Sequence, residues 1–443
     1  MNDTGKTATA VPRSSMALGV VGAAAPGGVA SGSKAGWTPG AESQRNVAIG
    51  YLRAFVTGLV VAHHAVLAYH PFAPAQPTPL AAEPRVWGAF PVLDEARSLL
   101  IALFTGFNDA FFMALMFLVS GLFVWKSLAR KGAGVFLHDR ALRLGLPFVV
   151  AAAVLAPLTY YPPYRQGGGT GGLGAFFREW ISLGSWPSGP AWFLWLLLAF
   201  DAIVAGVFVL ASPRLARSWD GEGWAERLGG FLAKAAARPA AFFGLLLAAS
   251  TAAYLPLVHA VGPFHWLSVG PFQAQTSRLL HYLVYFLAGV AIGAGGLDRT
   301  LLARDGRLAR HWPRWLAASL SAYVLSVGAA MVAFGPLGQR APVFWNLALG
   351  ATFTLSCAAS CTFFLALFLR FAPAPGRILD SFQANAYGVY VLHFALVSWL
   401  QYALLPASMP ALVKGTAVFL GALLASWAAA ALLRRVPAIG RVV

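Results

Sequence analysis

Ten stretches of mainly apolar residues follow one another along this 443-residue sequence, at roughly 47–69, 108–128, 142–161, 191–211, 240–258, 279–297, 315–334, 344–368, 384–405 and 411–433. Each is long enough for a helix to cross a bilayer, which takes about 20 residues at about 1.5 Å per residue. In hydrocarbon every backbone N–H and C=O must be paired within the protein, so runs of this length predict helices. The expected fold is an all-α integral membrane protein, a bundle of about ten transmembrane helices. Composition agrees: 58% of residues are hydrophobic and 11% charged, against about 25% charged in soluble domains. A soluble enzyme, a disordered regulator and a disulfide-rich secreted domain are all excluded.

The formal net charge of +17 would suggest a nucleic-acid partner in a soluble chain. Its distribution gives a different reason. Of the 32 Lys and Arg, 24 fall in the two terminal segments and the even-numbered loops, seven in the odd-numbered loops and one, Arg53, inside the first helix. Positive residues are retained on the cytoplasmic side of membranes, so both termini are expected in the cytoplasm, with the chain in a bacterial-type inner membrane and no nucleic-acid partner. Residues 1–44, rich in Ala, Gly, Ser and Thr, are expected to be a flexible cytoplasmic tail. The apolar run from Met16 to Ala25 is too interrupted by Gly to span a bilayer. The membrane domain covers 45–434 and a short cytoplasmic tail 435–443. The two cysteines, Cys357 and Cys361, lie four apart in an apolar segment and fit small residues at a helix interface. No metal-spaced set of Cys and His occurs, so no metal is expected.

Ionisable residues inside spanning segments are costly and therefore mark functional candidates. The first helix carries Arg53, His63 and His64. At about 100° per residue, His64 returns to within about 20° of the face of Arg53, whereas His63 lies about 80° away. The rise between Arg53 and His64 is about 16 Å. One helix face thus presents a cation near the cytoplasm and, deep in the membrane, an imidazole suited to general-base work. At the start of the third helix, Arg140 and Arg143 are i, i+3 neighbours whose guanidinium forks suit a phosphorylated cytosolic ligand or lipid headgroups. Further candidates are His393 with Tyr387 and Tyr390 in the ninth helix, Asp109 at the start of the second, Asp201 in the fourth, and Arg278 with His281 opening the sixth. The loop from Tyr160 to Pro190 is rich in Gly, Tyr and Trp, which suits either a sugar or anchoring at the membrane interface.

Four of these places together resemble the acyltransferase 3 family of membrane acyltransferases, in particular its branch of envelope glucan-modifying enzymes. Arg53 and His64 are similar to the family's Arg-x10-His in the first helix. Phe112 to Phe123, with Ser120-Gly121, resembles its second-helix stretch. Arg140-Ala-Leu-Arg143 followed by Leu146-Pro147 resembles its Arg-x-x-Arg motif, and Tyr387 to His393 its late Tyr-x-x-Tyr…His segment. The resemblance spans about residues 46–433. It implies transfer of an acyl group, acetyl or alternatively succinyl, from cytoplasmic acyl-CoA to a hydroxyl of an extracytoplasmic carbohydrate or glycolipid. His64 and Arg53 would be catalytic and Arg140 and Arg143 would hold the CoA. His393, Tyr387, Tyr390, Ser120, Asp109 and His281 are additional candidates. No permanently bound cofactor is implied. The competing reading from the residues is a proton-coupled transporter or flippase of an envelope precursor.

Overall fold

The computed structural model describes residues 41–217, 238–295, 301–303, 306–372, 376–440 and 442. Ten long helices account for most of them: α1 (Ala41–Val66), α2 (Leu99–Gly121), α3 (Ala133–Gln166), α4 (Trp192–Arg217), α5 (Pro239–Val261), α6 (Leu279–Ala294), α7 (Trp312–Ala333), α8 (Pro342–Phe371), α9 (Arg377–Ala403) and α10 (Ala411–Leu433). Among the described residues nine helices, all of these except α9, are long and apolar enough to cross a membrane. The protein is thus an all-α, multi-pass membrane protein. α9 is as long as its neighbours, but Asn385, His393, Ser398 and Gln401 interrupt its apolar character, and all four are buried against other helices. The expected tail and the Met16–Ala25 run fall almost wholly outside the described residues, and α1 begins at Ala41.

The face of the bundle where α1 begins carries Arg130, Lys131, Arg140, Arg310 and Arg370 and is called the basic face below. α2 begins at the opposite face, where Ser98 N–H donates to the carbonyl of Tyr69 just beyond α1 (3.2 Å). It starts nine residues before the expected position and runs on through Val124–Lys131, 33 residues in all. The sequence reading placed its start at the polar Asn108-Asp109, but a helix longer than the hydrocarbon core is wide continues past such a pair into the polar layer. Asp109 therefore lies well within the helix. Between α5 and α6, strands β1 (Trp266–Val269) and β2 (Phe272–Gln275) form an antiparallel hairpin at the opposite face.

The core centres on α2, in which every residue from Ala110 to Val119 is buried. α2 and α6 touch backbone to backbone. A Cβ placed on Gly289 would meet the Leu118 carbonyl oxygen at 2.0 Å, and one on Gly293 would meet that of Leu122 at 2.1 Å. This is small-residue packing at a four-residue spacing, the way membrane helices approach closely without a hydrophobic drive between them. Gly121, in the expected Ser120-Gly121 stretch, is the matching position on α2: its Cβ would lie 2.3 Å from the Phe286 oxygen. At the opposite face, Lys414 of α10 and Asp94 form an ion pair (2.7 Å) with side chains only 3% and 4% exposed, tying the segment before α2 to the bundle.

α3 contains Pro147, Pro157, Pro162 and Pro163. A proline inside a helix has no N–H for the carbonyl four residues earlier, and its ring crowds that carbonyl. Two π-helical turns, Ala141–Gly145 and Ala151–Leu155, end just ahead of Pro147 and Pro157 and accommodate the first two rings. α9 supplies side-chain donors to three of the four affected carbonyls. The Tyr387 hydroxyl donates to Arg143 O, the Trp399 indole N–H to Leu158 O (2.9 Å) and the Ser398 hydroxyl to Thr159 O (2.7 Å). The helix with the least regular backbone is thus stitched to the helix with the most polar side chains.

Candidate active site

The two helices that carry the central candidates, α1 and α9, pack against each other and against α10. His64 and His393 meet where they do. The rings stand edge to face with centroids 5.3 Å apart, and Phe394 closes the other side of His64 at 4.9 Å. Each imidazole is tied to its own helix through Nδ1. His64 Nδ1 lies 2.8 Å from Val60 O, and His393 Nδ1 lies 2.7 Å from Tyr390 O. A carbonyl oxygen only accepts, so Nδ1 carries the hydrogen in both rings. The neutral imidazole then keeps its lone pair on Nε2. His393 Nε2 is buried without a hydrogen-bond partner. Two rings, each with Nδ1 tied to its own helix and Nε2 left free of it, therefore sit side by side inside the bundle.

The end of α1 is held in register by α9 as well. Gln401 Nε2 donates to His64 O (2.9 Å) and Ala65 O (3.0 Å). These are among the last carbonyls of α1, which have no helical donor of their own. Nothing in the sequence around Gln401 marks it for this role, because its partners are more than 300 residues earlier. His63, the neighbour of His64, turns away toward α2, where its ring lies 5.2 Å from Phe112. The angular argument from the sequence thus separates the two histidines as the structure does.

Beside Phe394, a small, partly open cleft lies between α3, the start of α4 and α9. Thr159, Ser188, Pro190, Leu194, Tyr390 and Phe394 contribute to its walls. Tyr390 spans it, donating its hydroxyl to Pro190 O. Much of the aromatic character between Tyr160 and Pro190 is packed rather than presented, and the segment expected as a loop begins inside α3. Tyr160, Tyr164, Phe176 and Trp180 are buried against one another and Phe394, with Trp87. Neither a sugar platform nor a lipid-facing belt describes those four residues.

Toward the basic face, Arg53 is exposed on α1 and Arg140 is within its electrostatic reach. The two arginines of α3 differ in their surroundings. Arg143 remains exposed, while Arg140 turns inward: its guanidinium lies over the Phe136 ring (5.1 Å), and its Nε is 3.2 Å from Oδ2 of Asp201 on α4, a fully buried carboxylate. Asp201 was visible in the sequence as a charge within an apolar run, but its partner is 61 positions away. The contact uses Nε and leaves the two terminal guanidinium nitrogens uncommitted to Asp201. Tyr387 joins this group through the Arg143 carbonyl, so Arg140, Arg143, Asp201 and Tyr387, all candidates in the sequence, belong to one cluster.

Ser120 and His281 lie elsewhere. Ser120 sits beside Gly121 at the α2–α6 contact, eight residues or about 12 Å along α2 from Phe112. His281 is fully buried between α5 and α8, with Ser250 Oγ 3.2 Å from Nδ1 and Cys357 Sγ 3.5 Å from Nε2. Aromatic rings of Tyr254, Tyr285 and Phe353 enclose it, which suits a structural cross-link of three helices. Asp109 pairs with Arg278 near the opposite face. Among the described residues no three His, Cys, Asp or Glu are arranged to hold a metal ion.

No curated protein and no solved structure matches the chain. The sequence does match the acyltransferase 3 family, described as an acyltransferase domain, over residues 46–431. That range runs from the second turn of α1 to the last turn of α10 and takes in both paired histidines and the arginine cluster. A multi-pass helical bundle matched over nearly its whole length belongs to the acyltransferase 3 family of membrane acyltransferases.

Proposed function

We propose that the protein transfers a short acyl group from cytoplasmic acyl-CoA to a hydroxyl of an extracytoplasmic carbohydrate, as in the glucan-modifying branch of the family. The observation that carries this reading is the pairing of His64 and His393, each with its Nδ1 hydrogen committed to its own helix and Nε2 left as the base. In this reading the basic face is cytoplasmic, in line with retention of Lys and Arg on that side, and both termini lie there. Arg143 and the terminal nitrogens of Arg140 grip the CoA phosphates. Arg53 lies between them and His64 along α1 and steers the thioester.

His64 Nε2 accepts the proton of the acceptor hydroxyl as its oxygen attacks the thioester carbonyl. The tetrahedral intermediate collapses with cleavage of the C–S bond, and the imidazolium returns the proton to the departing CoA thiolate.

The test uses purified protein in lipid with labelled acetyl-CoA. Wild type is expected to bind and turn over. His64→Ala is expected to bind with similar affinity while losing about 10²–10⁴ in turnover, the usual contribution of a general base. The Arg140→Ala/Arg143→Ala variant is expected to lose binding. A wild-type protein without affinity for any acyl-CoA would overturn the reading in favour of a transporter.

A further inference from the structure

The reaction above makes no use of the ion pair between α2 and the start of α6. Arg278 Nη1 donates to Asp109 Oδ1 (2.8 Å) and Nη2 to Oδ2 (2.5 Å), a bidentate arrangement. Nη1 also lies 3.4 Å from the Tyr282 hydroxyl, and the guanidinium covers the Phe353 ring at 4.7 Å. The two partners differ in their surroundings. The Arg278 side chain is 7% exposed and that of Asp109 is 45% exposed. The cation is sealed in the protein while the outer edge of the carboxylate is open.

An ionised carboxylate offers about four lone-pair sites. Arg278 occupies two of them, and the exposed edge presents the others. A charge facing hydrocarbon is costly, which argues for water rather than lipid at this opening. Its place is set by helix spacing, since Asp109 and Phe112 are i, i+3 neighbours on α2. The Phe112 ring lies 5.2 Å from His63, whose ring lies 5.4 Å from His64. The charged groups within electrostatic reach of His63 are Asp109 and Arg278, together with His70 at the end of α1. His70 lies beyond the spanning part of α1; burial, then the nearby Arg97 guanidinium, holds it below the ordinary imidazole range and favours its neutral form. His63 Nδ1 has no hydrogen-bond partner. Polar groups thus lead from the opposite face through Asp109 and His63 to His64.

We propose that Asp109 and His63 form the acceptor subsite and select a neutral polyhydroxylated ligand, a sugar without acidic groups. Asp109 accepts hydrogen bonds from sugar hydroxyls, and His63 pairs with a further hydroxyl closer to His64. Arg278 is the positioning residue that orients the carboxylate through its bidentate contact. An acceptor bearing carboxylates meets like charge at Asp109 and is disfavoured. The catalytic consequence rests on the acyl-transfer reading, whereas ligand binding at the subsite does not require turnover.

The experiment measures binding of a neutral glucose oligosaccharide and of a uronic-acid oligosaccharide of equal length to the full-length protein in lipid nanodiscs, without acyl-CoA. Acceptor KM and acetyl-CoA affinity are then measured on the same samples. Wild type is expected to prefer the neutral sugar. Asp109→Asn and His63→Gln are each expected to weaken that binding and raise acceptor KM about tenfold, with acetyl-CoA affinity unchanged. Equal binding of the two oligosaccharides, or unaltered neutral-sugar binding in both variants, overturns the proposal. Should Asp109→Asn fail to fold because Arg278 is left unpaired, His63→Gln, which removes no fixed charge, decides alone. A wild type that binds the neutral sugar but transfers no acyl group overturns the reaction and leaves the subsite standing. Transfer with unchanged acceptor KM in His63→Gln does the reverse.

Discussion

Replacing Tyr387 by Phe removes a single oxygen, and the structure says which group loses by it. The hydroxyl donates to the Arg143 carbonyl, whose α-helical donor would have been the N–H that Pro147 lacks. A hydrogen bond of this kind contributes about 0.6 kcal/mol on average between membrane helices, with an upper range near 1.7. Loss of a donor from a carbonyl already short of one belongs toward the upper end, about 1 kcal/mol. Trp399→Phe and Ser398→Ala remove the equivalent donors to Leu158 and Thr159 near the opposite end of α3, and serve as matched controls. All three variants are expected to lower stability in lipid by similar amounts, read as a fall in the thermal midpoint. Only Tyr387→Phe loosens the turn that carries Arg143, so only it is expected to weaken acyl-CoA binding, by about fivefold for 1 kcal/mol. Equal affinities across the three variants would refute the link between Tyr387 and the arginine cluster. Unchanged stability in all three would refute the assignment of α9 as donor to the proline-disrupted carbonyls.

Other substitutions probe the rest of the frame. Gly289→Ala places a Cβ against the Leu118 carbonyl, so α2 and α6 must separate; a loss of about 1–3 kcal/mol is expected, visible as reduced yield of folded protein and a lower midpoint in lipid. Lys414→Met leaves Asp94 buried and unpaired and is expected to cost about 3–5 kcal/mol, while adding Asp94→Leu in the same chain restores much of the stability, as measured by thermal unfolding. Asp201→Asn removes the negative partner of Arg140 Nε, and equilibrium binding should show acyl-CoA affinity falling a few-fold, less than in Arg140→Ala.

The membrane helices were legible in the sequence because a bilayer demands length and apolarity from each segment on its own terms. The error at the start of α2 followed from the same logic, since a polar Asn108-Asp109 pair reads as an end when the helix projects beyond the hydrocarbon. The common face of Arg53 and His64 was legible because about 100° per residue holds within one helix. That arithmetic does not reveal that Arg140 is half-buried against Asp201 while Arg143 is exposed, because Asp201 lies on another helix. The close contact at Gly289 and Gly293 went unread in the sequence; a four-residue glycine spacing permits such packing but does not name α2 as the partner.

What the sequence alone determined is therefore what a single helix can encode: its length, its polarity, and which side chains share its face. Tertiary structure decided which faces meet. It placed His393 beside His64, gave Asp201 to Arg140 and Asp109 to Arg278, confined His281 to a sealed contact with Cys357, and brought Tyr387, Ser398 and Trp399 to carbonyls that prolines had stripped of donors. Each pairing joins residues on different helices, most of them far apart in sequence. Buried polar groups must find partners in an apolar interior, but any of several helices can supply them, and only packing selects one.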